Sequence, residues 1–231
     1  SLYSRWTPVK GLVLAGGKGT RLRPLTYTGA KQLVPIANKP VLFYAIENLV
    51  DAGITDIGII VGDTQEQVRA AVGDGSRWGA RVTYIEQDKP LGIAHAVKIA
   101  QPFIGEDRFV LFLGDNFIRE GIRPLVESFR RGDANCGIIL HRVPNPQDFG
   151  VAVVEDGRVT RLVEKPREWV SDLAVIGIYF FDSHVFEAVN AIKPSKRGEL
   201  EITDTIQYLI NHGYLVDAHQ LNSVWIDTGK M

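Results

Sequence analysis

The sequence predicts an α/β fold built on a mostly parallel mixed sheet flanked by helices, with a small antiparallel insertion, and three observations carry that expectation. Short runs rich in Val, Ile, Leu and Phe alternate with longer amphipathic stretches, which is the pattern of βαβ units. Four of those runs, residues 10–14, 57–61, 81–85 and 109–113, are almost continuously apolar, as strands buried on both faces are. Hydrophobic residues make up 45% and charged residues 23% of the 231 positions, ordinary for a globular chain and wrong for a disordered, collagenous or coiled-coil one. At roughly 150 residues per domain the length fits one large domain.

The elements follow in order. Residues 1–9 read as a leader ahead of a domain spanning 10–231. The first strand, 10–14, runs into a glycine-rich turn. A helix starts near Pro40, carries Val41, Ala45, Ile46 and Leu49 at helical spacing, and stops at Gly53. Thr64 with Gln67 three residues on reads as a capping box for a second helix. Beyond residue 137 the pattern changes: strand-like runs at 137–142, 150–154, 158–163 and 175–181, with a tight Asp156-Gly157 turn, predict the antiparallel part. Helices follow at 183–191 and 203–211, then strands at 215–221 and around Trp225 and Ile226. The chain stops at Gly229-Lys230-Met231 without a closing segment, from which a further C-terminal part of the native protein is expected.

Charge and cysteine usage exclude several classes. Lys+Arg 26 against Asp+Glu 27 leaves a net charge of -1, so no global field recruits nucleic acid or an anionic membrane, and neither is expected as a partner. The single Cys136 can form no intrachain disulfide and no Cys-x-x-Cys site, which points to a reducing cytoplasm. No apolar run approaches the ~18 residues of a membrane helix. His95, His141, His184, His212 and His219 match neither a zincin nor a zinc-finger spacing, and there is no nucleophile-elbow motif. Glu199 and Glu201 would share a strand face like a glycosidase pair, but Thr203 and Asp204 just beyond read as hydrogen bonding at a helix start. Trp78 and Trp225 read as packing residues.

The segment Gly11 to Thr26 is the most informative. A strand runs straight into Gly16, Gly17 and Gly19, whose backbone amides can wrap a phosphate, while Lys18 and Arg21 add charge-assisted bonds. The spacing fails both the Walker A loop and the dinucleotide fingerprint, which needs Gly where Leu22 stands. Further on, Asp115 follows the strand at 109–113 and should sit at the carboxyl edge of the sheet, where open α/β folds bind ligands; read alone, it could equally cap the next segment. Asp227 at the end of the last strand offers a second carboxylate, and Mg²⁺ commonly takes one or two carboxylates plus phosphate oxygens. Gln87 carries both donor and acceptor, suited to a pyrimidine edge, and Gly92 would let a base lie against the backbone.

The run Leu14-Ala-Gly-Gly-Lys-Gly-Thr-Arg-Leu-Arg-Pro-Leu-Thr26 resembles the signature of the sugar-1-phosphate nucleotidylyltransferases, the glucose-1-phosphate thymidylyltransferases in particular. Matches recur in order to residue 229: Lys31-Gln-Leu33, Gly73-Asp-Gly-Ser-Arg-Trp-Gly79, Leu113-Gly-Asp-Asn116, Glu164-Lys-Pro166, Gly177-Ile-Tyr179, Arg197-Gly-Glu-Leu-Glu-Ile-Thr-Asp204 and Trp225-Ile-Asp-Thr-Gly229. Phe149 stands where many members have Tyr, and Lys89-Pro90-Leu91 and Asn222-Ser223-Val224 also depart from the usual pattern. These variants resemble the long branch of the family, whose members carry a C-terminal left-handed β-helix.

The resemblance implies a Rossmann-like nucleotidyltransferase fold and Mg²⁺-dependent transfer from dTTP to α-D-glucose 1-phosphate, giving dTDP-glucose and pyrophosphate. A phosphate nucleophile is already ionised at neutral pH, so such catalysis rests on alignment and charge neutralisation. It implies Arg21 and Lys31 on the triphosphate, Lys165 on the sugar phosphate, and Asp115 and Asp227 on the metal. Leu14, Gly16, Gly17, Gly19, Thr20, Gln87 and Gly92 would hold the nucleotide. Gly150, Glu164, Val175 and Tyr179 would hold the sugar. Without the flanking motifs, Lys31 and Lys165 would read as solvated lysines, and Glu164 with Lys165 as a surface ion pair. UTP in place of dTTP stays open, as does a non-catalytic sugar-nucleotide-binding regulatory paralogue, although such a paralogue would be expected to lose these cations and carboxylates. Family members assemble, so a homo-oligomer is a further expectation.

Overall fold

The computed structural model describes residues 8–15, 39–221 and 225–227. Leu12 and Val13, neighbours in strand β1 (Val9–Leu14), are both buried but belong to two hydrophobic clusters, one on each face of a sheet. In β4 (Arg108–Leu113) the same alternation puts Val110 and Phe112 on one side and Phe109 and Leu111 on the other. Successive strand side chains point to opposite faces, so a strand covered on both sides has no solvent face, and its sequence reads as an unbroken apolar run. Helices α1 (Val41–Asp51), α2 (Gln65–Val72) and α5 (Arg123–Arg131) contribute to the first cluster. The second takes α3 (Ile93–Ile99), α4 (Gln101–Ile104), α6 (Val185–Ala191) and α7 (Ile202–Asn211).

Strand β2 (Asp56–Val61) and strand β3 (Arg81–Glu86) lie parallel to β1 and β4, in the order β3-β2-β1-β4. β1 begins at Val9, one residue before the expected start, paired with Arg108. β3 departs from the expectation of burial on both faces: Arg81, Thr83 and Glu86 are exposed, because it is the edge strand. Its Arg81 pairs instead with Asp56 of β2 at 3.3 Å.

α1 ends as its sequence predicts. Gly53 has φ +84°, its N–H donates to the Val50 carbonyl, and the Ile54 N–H donates to the Leu49 carbonyl, both at 2.9 Å. These are the two reversed bonds of a Schellman ending, and Ile54 packs with Leu49 in the core. The capping box at Thr64 does not form. Thr64 has φ -94° and ψ 18° and makes no side-chain cap; a capping side chain needs an extended backbone to reach the first helical amides.

Among the described residues, the antiparallel part is continuous with the same nine-stranded sheet. β9 (Leu173–Phe181) runs against both β4 and β6 (Cys136–Arg142), while β10 (Val216–Gln220) continues parallel to β6. β8 (Arg158–Glu164) and β7 (Gly150–Glu155) complete the order, joined by Asp156 and Gly157 at φ 51° and 76°, the two left-handed residues of a tight hairpin. β7 also folds back to meet β9 at Val151 and Ala174. Apart from the sheet, β5 (Asn116–Ile118) pairs antiparallel with β11 (Trp225–Asp227). Among the described residues no helix is long and apolar enough to cross a membrane.

Candidate active site

The strand order reverses beside β1: the chain passes from β1 to β2 on one flank and later returns to β4 on the other. A crevice at the carboxyl ends of β1 and β4 follows from that topology. Leu14 and Leu113 end these strands in register. The Gly114 N–H donates to the Leu14 carbonyl at 3.0 Å, and a Cβ on Gly114 would lie 2.9 Å from that oxygen, so glycine lets the chain turn there. Asp115 comes next. Gly16, Gly17, Gly19, Thr20, Arg21 and Lys31 lie outside the described residues.

Asp115 and Asp227, 112 positions apart in sequence numbering, are brought together by the small β5·β11 ladder, whose register pairs Asp227 with Asn116, the residue beside Asp115. Asn116 ties the arrangement together. Its Nδ2 donates to Asp115 Oδ1 at 3.0 Å, and its Oδ1 accepts from the Trp225 indole at 2.8 Å and from the Gly177 N–H at 3.3 Å. Trp225 therefore does more than pack, although it also meets Phe149 with ring centroids 5.6 Å apart. Two carboxylates, hard oxygen donors at a strand end, fit an ion that keeps most of its shell for water and phosphate. Among the described residues no group of three or more His, Cys, Asp or Glu forms an all-protein cage.

Asp227 also lines a cavity of about 150 Å³ with Gly150, Glu164, Val175 and Tyr179. Gly150 and Glu164 face each other across the β7·β8 ladder. Burial, reinforced by the Glu164 charge, pushes the Tyr179 phenol well above its ordinary range, so it stays protonated and able to donate. Lys165 is exposed at the end of β8 with φ 44°, a left-handed backbone that is uncommon for a non-glycine residue. It breaks the alternation that would send Lys165 to the face opposite Glu164, and the Lys165 charge reaches Glu201 on the cavity wall, helping to lower its pKa.

The same cavity holds residues the sequence reading left without a role. Arg197 reaches Glu201 through Nε at 2.6 Å and Nη2 at 2.8 Å, and Ser195 adds a hydroxyl to Glu201 at 2.9 Å. The hydrogen bonds from Arg197 hold the Glu201 carboxyl below its ordinary range. The two glutamates do not share a strand: Glu201 immediately precedes α7 and makes no side-chain cap there, and Glu199 also pairs with Arg197 at 3.2 Å. Thr203, 8% exposed, faces the cavity rather than capping the helix. The signal for Arg197 was present, as an arginine beside Lys196 and just ahead of Glu199 and Glu201, but its meaning depends on the fold of 195–203.

Gln87 and Gly92 are brought together by a direct bond, Gln87 Nε2 to the Gly92 carbonyl at 3.3 Å, and Gln87 also meets His95 Nδ1 at 2.9 Å. Burial and the Lys98 charge lower the His95 pKa, which favours the neutral ring, and the Gln87 NH₂, a donor only, needs Nδ1 as acceptor. Gly92 has a structural reason of its own: at φ +108° its Cβ position meets the Leu200 backbone, with which this segment pairs through Ala94 N–H to Leu200 carbonyl at 3.1 Å. Gln87 also borders a second, polar cavity of about 470 Å³ beside Asp63, Arg69 and Glu86 at the ends of β2 and β3.

A family model described as Nucleotidyl transferase matches residues 10–231. A glucose-1-phosphate thymidylyltransferase of Streptomyces antibioticus is 56% identical over 225 residues, and a nucleotidyltransferase of low-salt glycan biosynthesis from Haloferax volcanii is 54% identical over 224. Each alignment covers 96% of this chain and 63% of the relative, so the chain spans less than two thirds of their length. A solved Bacillus anthracis structure described as a candidate glucose-1-phosphate thymidylyltransferase, in complex with a sucrose, superposes with a TM-score of 0.82 at 40% identity, covering 96% of this chain and 90% of that one.

Proposed function

The chain belongs to the nucleotidyl transferase family, and from that premise we propose that it transfers a thymidylyl group from dTTP to α-D-glucose 1-phosphate, releasing pyrophosphate and forming dTDP-glucose in the cytoplasm. The observation that carries this reading is the β5·β11 register, which sets Asp227 opposite the neighbour of Asp115 on the edge of a cavity walled by Glu164 and Arg197.

Asp115 and Asp227 would hold Mg²⁺, which supplies neutralisation of phosphate charge when bound. Glu164 accepts from sugar hydroxyls, with Tyr179 as a donor on the same wall and the Gly150 backbone beneath them. Lys165 and Arg197 provide the cations for the sugar phosphate. Arg21 and Lys31 take the triphosphate, with Leu14, Gly16, Gly17, Gly19 and Thr20 along the nucleotide and Gln87 and Gly92 at the base. The phosphate oxygen of the sugar is already anionic, so these residues need only align it and screen its charge as it attacks the α-phosphorus in line.

Pyrophosphate release with α-glucose 1-phosphate, compared among dTTP, UTP, CTP, ATP and GTP in Mg²⁺, tests the reading. The expected result is release led by dTTP. Release led by UTP keeps the reaction class and overturns the base, and no release from folded protein overturns the class.

A further inference from the structure

Asn116 is only 1% exposed, where an amide without partners is costly. Two donors converge on its Oδ1, the Trp225 indole N–H at 2.8 Å and the Gly177 backbone N–H at 3.3 Å. Neither can act as an acceptor, so only the amide oxygen can meet them, and the NH₂ group is turned the other way. There it donates to Asp115 Oδ1 at 3.0 Å. Gly177 is part of the same fit: a Cβ on it would lie 2.7 Å from Asn116 Cγ, so a larger residue would lift the amide off β9. The indole donor stands two residues from Asp227 in β11, and the bond that orients Asn116 therefore also seats the strand carrying the second carboxylate.

We propose that Asn116 and Trp225 are positioning residues for the divalent ion, Trp225 and Gly177 locking the Asn116 amide so that it holds the Asp115 carboxylate turned toward an ion shared with Asp227. This rests on the metal-dependent reading above. Carboxylate ligands are commonly oriented by such outer hydrogen bonds, whose loss typically costs about 10- to 100-fold in metal affinity or activity.

The test is a titration of the full chain with Mn²⁺ alone, reading free Mn²⁺ by electron paramagnetic resonance, beside thermal melts. Trp225→Phe keeps an aromatic ring but deletes the donor, Asn116→Ala deletes the relay, and Asp115→Asn removes a ligand. The expected result is Mn²⁺ binding to the wild type that weakens about tenfold or more in Trp225→Phe and Asn116→Ala, with both variants still melting cooperatively well above the titration temperature. Affinity within about twofold of wild type in Trp225→Phe, while Asp115→Asn binds poorly, overturns the positioning role and leaves the metal reading standing. Mn²⁺ binding that is absent from the wild type, or indifferent to Asp115→Asn, removes the metal reading and this proposal with it.

Discussion

Oε2 of Glu164 lies 2.9 Å from the point where a Cβ on Gly150 would stand. Glycine at 150 is thus what allows the carboxylate to rest over the β7 backbone and face the cavity. Gly150→Ala is expected to push that carboxylate aside by a few tenths of an ångström and to lower kcat/KM for the sugar phosphate, by up to about 10²-fold. Steady-state kinetics beside a circular dichroism spectrum check this; unchanged kinetics in a folded variant would remove Glu164 from the sugar site.

The Arg197–Glu201 pair predicts a pH signature. Arg197 lowers the Glu201 pKa, so the pair contributes stability above the ordinary glutamate value and loses it as pH falls through the lowered one. Glu201→Gln should therefore cost about 1 kcal/mol near neutrality, the upper end for a partly exposed pair. That difference should shrink below about pH 4. Urea unfolding of both proteins across pH 3 to 7 measures it, and a difference that persists or grows in acid contradicts the assignment.

Cys136 sits fully buried in β6, and desolvation raises its thiol pKa well above the ordinary value. Thiolate is the reactive form. An aromatic disulfide reagent is expected to leave the native protein unmodified and to titrate the thiol only after unfolding; rapid labelling at neutral pH would show that β6 opens.

Gly92 separates a fold requirement from a ligand requirement. Its φ of +108° and the Leu200 backbone beside it predict that Gly92→Ala destabilises the protein by about 2 kcal/mol before any effect on nucleotide binding. A denaturation midpoint equal to wild type would mean that this segment does not pack as described.

What was readable in advance divides by physical cause. The buried strands β1, β2 and β4 and the Gly53 ending are local, since burial on both faces and a left-handed glycine each leave a mark in consecutive residues. α3, α5 and β5 went unread: Arg123–Arg131 is short, opens with a proline in its first turn and carries few apolar residues, and Asn116–Ile118 is three residues long. The carboxylates Asp115 and Asp227 were legible by residue type and resemblance, but their adjacency depends on a ladder between residues far apart in the chain. Asn116, Trp225, Arg197 and Thr203 stood inside recognisable motifs, but their parts in the site were not legible for the same reason. Their roles lie in partners supplied by other elements.

The most direct test of the central claim is formation of dTDP-glucose from dTTP and α-glucose 1-phosphate, followed by ³¹P nuclear magnetic resonance for the wild type, Asp115→Asn and Asp227→Asn. Product is expected in Mg²⁺ from the wild type, with a loss on the order of 10²-fold or more in each variant and the fold retained. Product formed at the wild-type rate by either variant, or no product from folded wild type, would contradict the claim.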